Sequence, residues 1–147
     1  MKITSPVFLD NEMIPSKYTC NGDNISPPLR ISEVPPSTKS LALINDDPDA
    51  PGATWVHWVV WNIDSNTFDI AEDCVMEGAV EGKNTRGDNK YGGPCPPSGT
   101  HRYFFKIYAL DTLIDLDKSH GKKELEKAMK GHILEKAQLV GLYTQIT

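Results

Sequence analysis

Residues 46–58 read DDPDAPGATWVHW and residues 91–103 read YGGPCPPSGTHRY. The first stretch sets three acids ahead of a histidine, and the second sets a histidine beside a tyrosine. Carboxylate, imidazole and phenol together can move protons, bind an anion or hold a divalent ion. Pro48 and Pro51 lock φ and push Asp47 and Ala50 toward extended geometry, so the first loop is stiff. A stiff loop holds a carboxylate in place without losing entropy when a ligand arrives. Gly92 and Gly93 have no Cβ and can let backbone amides approach an anion, as in amide nests, although a plain hairpin turn would use them equally well. Two rigid loops that each lead into a strand headed by a histidine point to one shared pocket around Asp47, His57, His101 and Tyr103.

The rival chemistries have less behind them. Ser98 lies near His101 and keeps a hydrolase in view, yet no GxSxG motif marks a nucleophile. Asp47, Asp49, His57 and His101 could chelate a divalent ion, but paired Asp and His with a tyrosine suit an anion better. The expectation is therefore a binding protein that is not an enzyme, with no metal and no cofactor. With no Lys or Arg expected inside, the donors are neutral side chains and backbone amides, and affinity is modest. A histidine beside a carboxylate is more readily protonated than its reference pKa of about 6.5 implies, so phosphate should bind better as pH falls toward that region.

These groups need elements to hold them. LALIND (41–46), HWVVWNI (57–63), RYFFKIYAL (102–110) and QLVGLYTQI (138–146) mix apolar and β-branched residues between turn signals and read as strands. Strand alternation puts His57, Val59 and Trp61 on one face, with Trp58, Val60 and Asn62 on the other. It likewise aims His101 and Tyr103 together and Arg102 away, where Arg102 becomes the expected partner of Asp49. The 11 prolines stay outside the strand runs, as loss of a ladder donor requires. Leu125, Ala128, Met129, Ile133 and Ala137 fall near helical spacing, predicting an amphipathic helix through 122–139 that Gly131 bends or divides. The expected architecture is mainly β, an antiparallel β-sandwich with a small C-terminal helical element, in a single domain over 1–147.

A net charge of −5 argues against a nucleic-acid surface, and the late lysines are interleaved with Glu124, Glu126 and Glu135, as on a solvated helix face. No run of about 18 apolar residues or signal-like start is present, so no integral membrane contact is expected and the cytoplasm is the default address. Cys20, Cys74 and Cys95 form an odd set without metal-ligand spacing and suit reduced thiols, with one bridge between Cys20 and Cys95 left open.

DPDAP followed by WVHW, then GPCPPSGTHRY, resembles the two signature regions of the phosphatidylethanolamine-binding protein (PEBP) family, which includes Raf kinase inhibitor protein. ITSPVF, YTCNGDNISPPL and KGHILEKAQLVGLY resemble its compact bacterial and archaeal branch, and the likeness runs over nearly the whole chain. It implies a PEBP-like β-sandwich with an anion pocket lined by Asp47, His57, Gly93, Pro94, His101 and Tyr103. Asp49, Pro51, Trp55, Cys95 and Arg102 are the expected supporting positions. The implied ligands are phosphate or phosphoethanolamine, and some members inhibit serine proteases or regulate kinases, so a protein partner and a homodimer are implied too. The stretch 74–90 would be the loop offered to such a partner, although a simple surface loop explains it as well. Cys95 stands where eukaryotic members usually carry proline, which brings a thiol near the ligand with oxidation as a modulator.

Overall fold

The computed structural model describes residues 1–74 and 76–145. Its strands are β1 (Lys2–Thr4), β2 (Glu12–Met13), β3 (Leu29–Ser32), β4 (Ser40–Asp47), β5 (Trp55–Ile63), β6 (Asp69–Ile70), β7 (Val80–Glu81), β8 (Thr100–Leu110) and β9 (Ile133–Thr144), with a 3-10 turn at Ser16–Tyr18 and an α-helix, α1 (Lys122–Met129). β1, β3 and β6 form a small sheet, and the other six strands form a large one in the order β2-β9-β8-β4-β5-β7. The architecture is mainly β, as the apolar runs imply. Among the described residues every pairing between these strands is antiparallel except that of β2 with β9, which is parallel, so the large sheet is mixed.

Two apolar layers follow from the alternation of strand side chains. Ile3, Leu29, Ile31 and Ile70 of the small sheet meet Leu43, Trp58, Val60, Phe105 and Ile107 of the large one. On the opposite face of the large sheet, Ala42, Ile44, Val59 and Trp61 are covered by Leu125 and Met129 of α1. The helix starts at Gly121, whose N–H donates to Glu124 Oε1 at 3.0 Å.

The helix is shorter than its apolar spacing predicts. It ends at Met129, and Gly131 at φ +84° turns the chain out of helical geometry. Ile133 and Ala137 lie instead on β9, which pairs with β8 from Ile133 to Thr144. A ladder of backbone hydrogen bonds along β8, broken only by a bulge beside Leu134, outweighs a helical periodicity carried by two residues. The predicted strand at 138–146 is therefore the second half of a longer one, and Ile146 lies outside the described residues. Among the described residues no helix is long and apolar enough to cross a membrane.

Candidate functional site

Sequence alternation misplaces one key side chain. Trp58 and Val56 of β5 stand opposite Asn45 and Asp46 of β4, so β5 carries one extra residue, His57. A bulge of this kind re-aims a side chain. His57 leaves the face of Val59 and Trp61 and joins Trp58 on the inner face, where its ring meets Tyr103 edge-on at 5.3 Å. The neighbouring strand needs no such device. His101 and Tyr103 alternate inward on β8 with stacked rings at 6.4 Å, while Arg102 is exposed.

Asp47, His57, His101 and Tyr103 thus line one cavity of about 380 Å³. All four are buried, Asp47 at 3% and Tyr103 at 1% exposure. His101 Nδ1 and Asp47 Oδ2 are 2.6 Å apart. Because a carboxylate only accepts, Nδ1 carries the proton and Nε2 is left for the cavity. His57 repeats the arrangement: Nδ1–H donates to the Gly92 carbonyl at 2.7 Å, again leaving Nε2. Burial pushes the His57 pKa down, outweighing the opposite pull of the Gly92 carbonyl and of Asp47. This reverses the direction expected for a histidine near a carboxylate, because desolvation of a nearly enclosed ring is the larger effect. Burial also pushes the Tyr103 phenol up, so it stays protonated. Its Oη finds no hydrogen-bond partner among the described residues.

The first loop is braced from outside. Asp49 N–H donates to Asp47 Oδ1 at 2.7 Å, so both Asp47 oxygens are committed. The Asp49 carboxylate in turn takes a fork from Arg102, Nε to Oδ2 at 3.0 Å and Nη2 to Oδ1 at 2.9 Å. Those hydrogen bonds hold the Asp49 pKa at about 2. Each oxygen of Asp47 thus accepts a hydrogen bond and both oxygens of Asp49 face Arg102, and among the described residues no group of three or more metal-ligating side chains is found.

The second loop departs from expectation in three ways. Gly92 N–H donates to the His57 carbonyl and Gly93 N–H to Asn24 Oδ1, so the two amides form no free anion nest. Gly93 is required for another reason: a Cβ there would sit 2.4 Å from Asn24 Oδ1 and 2.5 Å from the Tyr18 carbonyl. Pro94 is buried behind the cavity wall, where its carbonyl accepts the Cys20 N–H at 3.1 Å. Cys95 is no free thiol, for it is disulfide-bonded to Cys20, with Cα atoms 5.5 Å apart. The two cysteines are 75 residues apart in the chain, and the packing of the Tyr18 to Asn24 segment against Tyr91, Gly93 and Pro94 brings them together. The bridge removes both the thiol next to the ligand and the reduced-thiol argument for compartment.

Pro51, Trp55 and Cys95 line the cavity, whereas Asp49 and Arg102 act from outside it. Ser98 is exposed and lies off the lining. Sequence reasoning missed Asn24, Asn84 and Arg86, which also face the cavity. Asn84 is fastened by donating to the Lys90 carbonyl and accepting the Asp88 N–H. Arg86 overturns the expectation that no cation faces the pocket. It comes from a polar, Gly-rich loop with no periodicity to mark its direction.

Residues 4–144 match the model of the phosphatidylethanolamine-binding protein family. A UPF0098 protein of Methanothermobacter thermautotrophicus is 49% identical, the match covering 97% of this chain and 98% of the relative. A crystal structure of a phosphatidylethanolamine-binding protein homolog from Chlamydia trachomatis superposes with a TM-score of 0.95 at 42% identity, covering 99% of this chain and 97% of that one. E. coli YbcL, itself described as a PEBP family member, gives 0.92 at 33% identity over 99% and 98%.

Proposed function

Because this chain belongs to the phosphatidylethanolamine-binding protein family, we propose that its cavity binds a small phosphate-type anion between His57, His101 and Tyr103. The observation that carries this reading is the Tyr103 hydroxyl, buried in the cavity wall with no partner among the described residues. A buried donor left unpaired costs about 1–3 kcal/mol, and an anionic oxygen in the cavity would supply the acceptor. The two imidazoles add the selectivity. Each has Nδ1 committed and Nε2 open, so each offers a lone pair when neutral and a donor when protonated. An anion therefore enters with a proton, carried by the ligand or by a histidine. Arg86 at the rim supplies a permanent charge.

Binding is preferred to turnover. Asp47 and His101 have the geometry of a general-base pair, and among the described residues no aliphatic hydroxyl, lysine or free thiol lines the cavity. A regulatory role toward protein partners rests on the family alone. The stretch 74–90, with Val75 outside the described residues, holds β7 and is pinned by Gly82 N–H to the Val59 carbonyl and Thr85 N–H to the Val56 carbonyl. Calorimetric titration with inorganic phosphate and O-phosphoethanolamine, repeated on His57→Ala and His101→Ala, tests the reading. Saturable binding weakened in both variants supports it, and binding equal in all three proteins refutes it.

A further inference from the structure

Building on the anion-binding reading, we infer that the ligand class is an oxyanion ester bearing a flat apolar group, an aryl phosphate in the simplest form. The argument starts from size. A cavity of about 380 Å³ lies in the range of small-molecule sites and exceeds what an anion of five heavy atoms can fill. Its chemistry is also divided. Asp47, His57, His101 and Tyr103 make a buried polar floor, while Pro51, Trp55, Pro96 and Pro97 make a wall that is mostly exposed.

Trp55 identifies what the wall receives. The other two tryptophans are core residues with satisfied indole N–H groups, Trp58 donating to Glu81 at 2.8 Å and Trp61 to the Leu116 carbonyl at 3.1 Å. Trp55 is 40% exposed, and its ring has neither a hydrogen bond nor an aromatic contact among the described residues. It is placed by its register: on β5 it pairs with Asp47 of β4, so the aromatic ring and the carboxylate that orients His101 lie side by side across the ladder. An exposed indole beside rigid proline rings offers a planar apolar face at low entropic cost. An ester whose phosphate reaches Tyr103 and whose ring lies on Trp55 uses both halves of the cavity. Arg86, at the rim, lies where it can pair with the charged head or cover the ring.

The test is calorimetric titration of the intact protein with three probes at one pH: inorganic phosphate, ethyl phosphate and phenyl phosphate. Phenyl phosphate should bind about tenfold more tightly than the other two, the gain expected of one aromatic contact. Its binding should also shift the tryptophan emission to shorter wavelength, since Trp55 is the exposed indole. In Trp55→Ala the ratio of phenyl phosphate to phosphate affinity should fall to near one, and in Trp55→Phe it should be largely retained. Saturable phosphate binding with phenyl phosphate no tighter than ethyl phosphate overturns this inference and leaves the anion pocket standing. Failure of all three probes to bind overturns both.

Discussion

Asp46 and Asp47 are adjacent in sequence and serve opposite faces of the large sheet. Asp46, 1% exposed, accepts Lys122 Nζ of α1 at 2.7 Å and Lys106 Nζ at 3.2 Å through Oδ2. Asp47 turns the other way and orients His101 in the cavity. The strand that ties down the helix thus also presents the site, with consecutive residues doing the two tasks.

Their removal should separate stability from binding. Asp46→Ala strands two partly buried lysines and should lower stability by about 1–3 kcal/mol, less than for a fully buried pair because both lysines can reach water. Phosphate affinity should change little. Asp47→Asn keeps the shape but removes the charge opposite His101, and phosphate affinity should fall about 10-fold to 100-fold. Thermal melts and calorimetric titration of the two variants check both halves.

Tyr103→Phe deletes a hydroxyl that has no hydrogen-bond partner among the described residues. The variant should be as stable as the parent or slightly more stable, because removing an unsatisfied buried group relieves its desolvation penalty. Its phosphate affinity should drop about tenfold. A clear loss of stability with unchanged affinity would show the hydroxyl to be structural.

Gly93→Ala and Gly92→Ala form a matched pair. At Gly93 the new methyl would strike backbone and Asn24, whereas at Gly92 the nearest atom is Asn84 Nδ2 at 3.7 Å. Overpacking of this kind costs about 1–3 kcal/mol, so Gly93→Ala should melt earlier and bind phosphate more weakly, and Gly92→Ala should resemble the parent. Melting curves with and without phosphate distinguish them.

Acidity acts through two groups whose pKa values both lie below their ordinary ones. A group depressed in the folded state contributes stability above its unfolded pKa and loses it as pH falls through the folded value. His57 should therefore begin to erode stability as pH drops below about 6.5. Asp49 should do so from near pH 4 down to about 2. Arg102→Ala removes the cause of the Asp49 shift, so urea midpoints of that variant should be lower at neutral pH and flatter between pH 4 and 2.

The sequence carried β4, β5, β8 and the second half of β9, because each holds an apolar run bounded by turn signals. β1, β2, β3, β6 and β7 span two to four residues, too few to show any period. The helix boundary failed where Ile133 and Ala137 satisfied two periodicities at once and the β8 ladder decided between them. Within the site, Asp47, His101 and Tyr103 were legible from loop chemistry and alternation, and so was the Asp49 partner of Arg102. The inward turn of His57 was not, since a bulge is set by register with β4 rather than by the residue itself. The same holds for the engaged amides of Gly92 and Gly93 and for Arg86, products of loop packing across distant segments, which also decides the Cys20–Cys95 bridge that the sequence left open.

The most direct measurement follows the side-chain nitrogens of His57 and His101 by NMR during titration with inorganic phosphate at pH 6 and pH 8. We expect saturable shifts at Nε2 of both rings, with Nδ1 little changed, and tighter binding at pH 6, where a proton is more available to the ligand or to an imidazole. Shifts confined to surface residues such as Lys106 and Lys122, or affinity that rises from pH 6 to pH 8, would contradict an anion held between these two histidines.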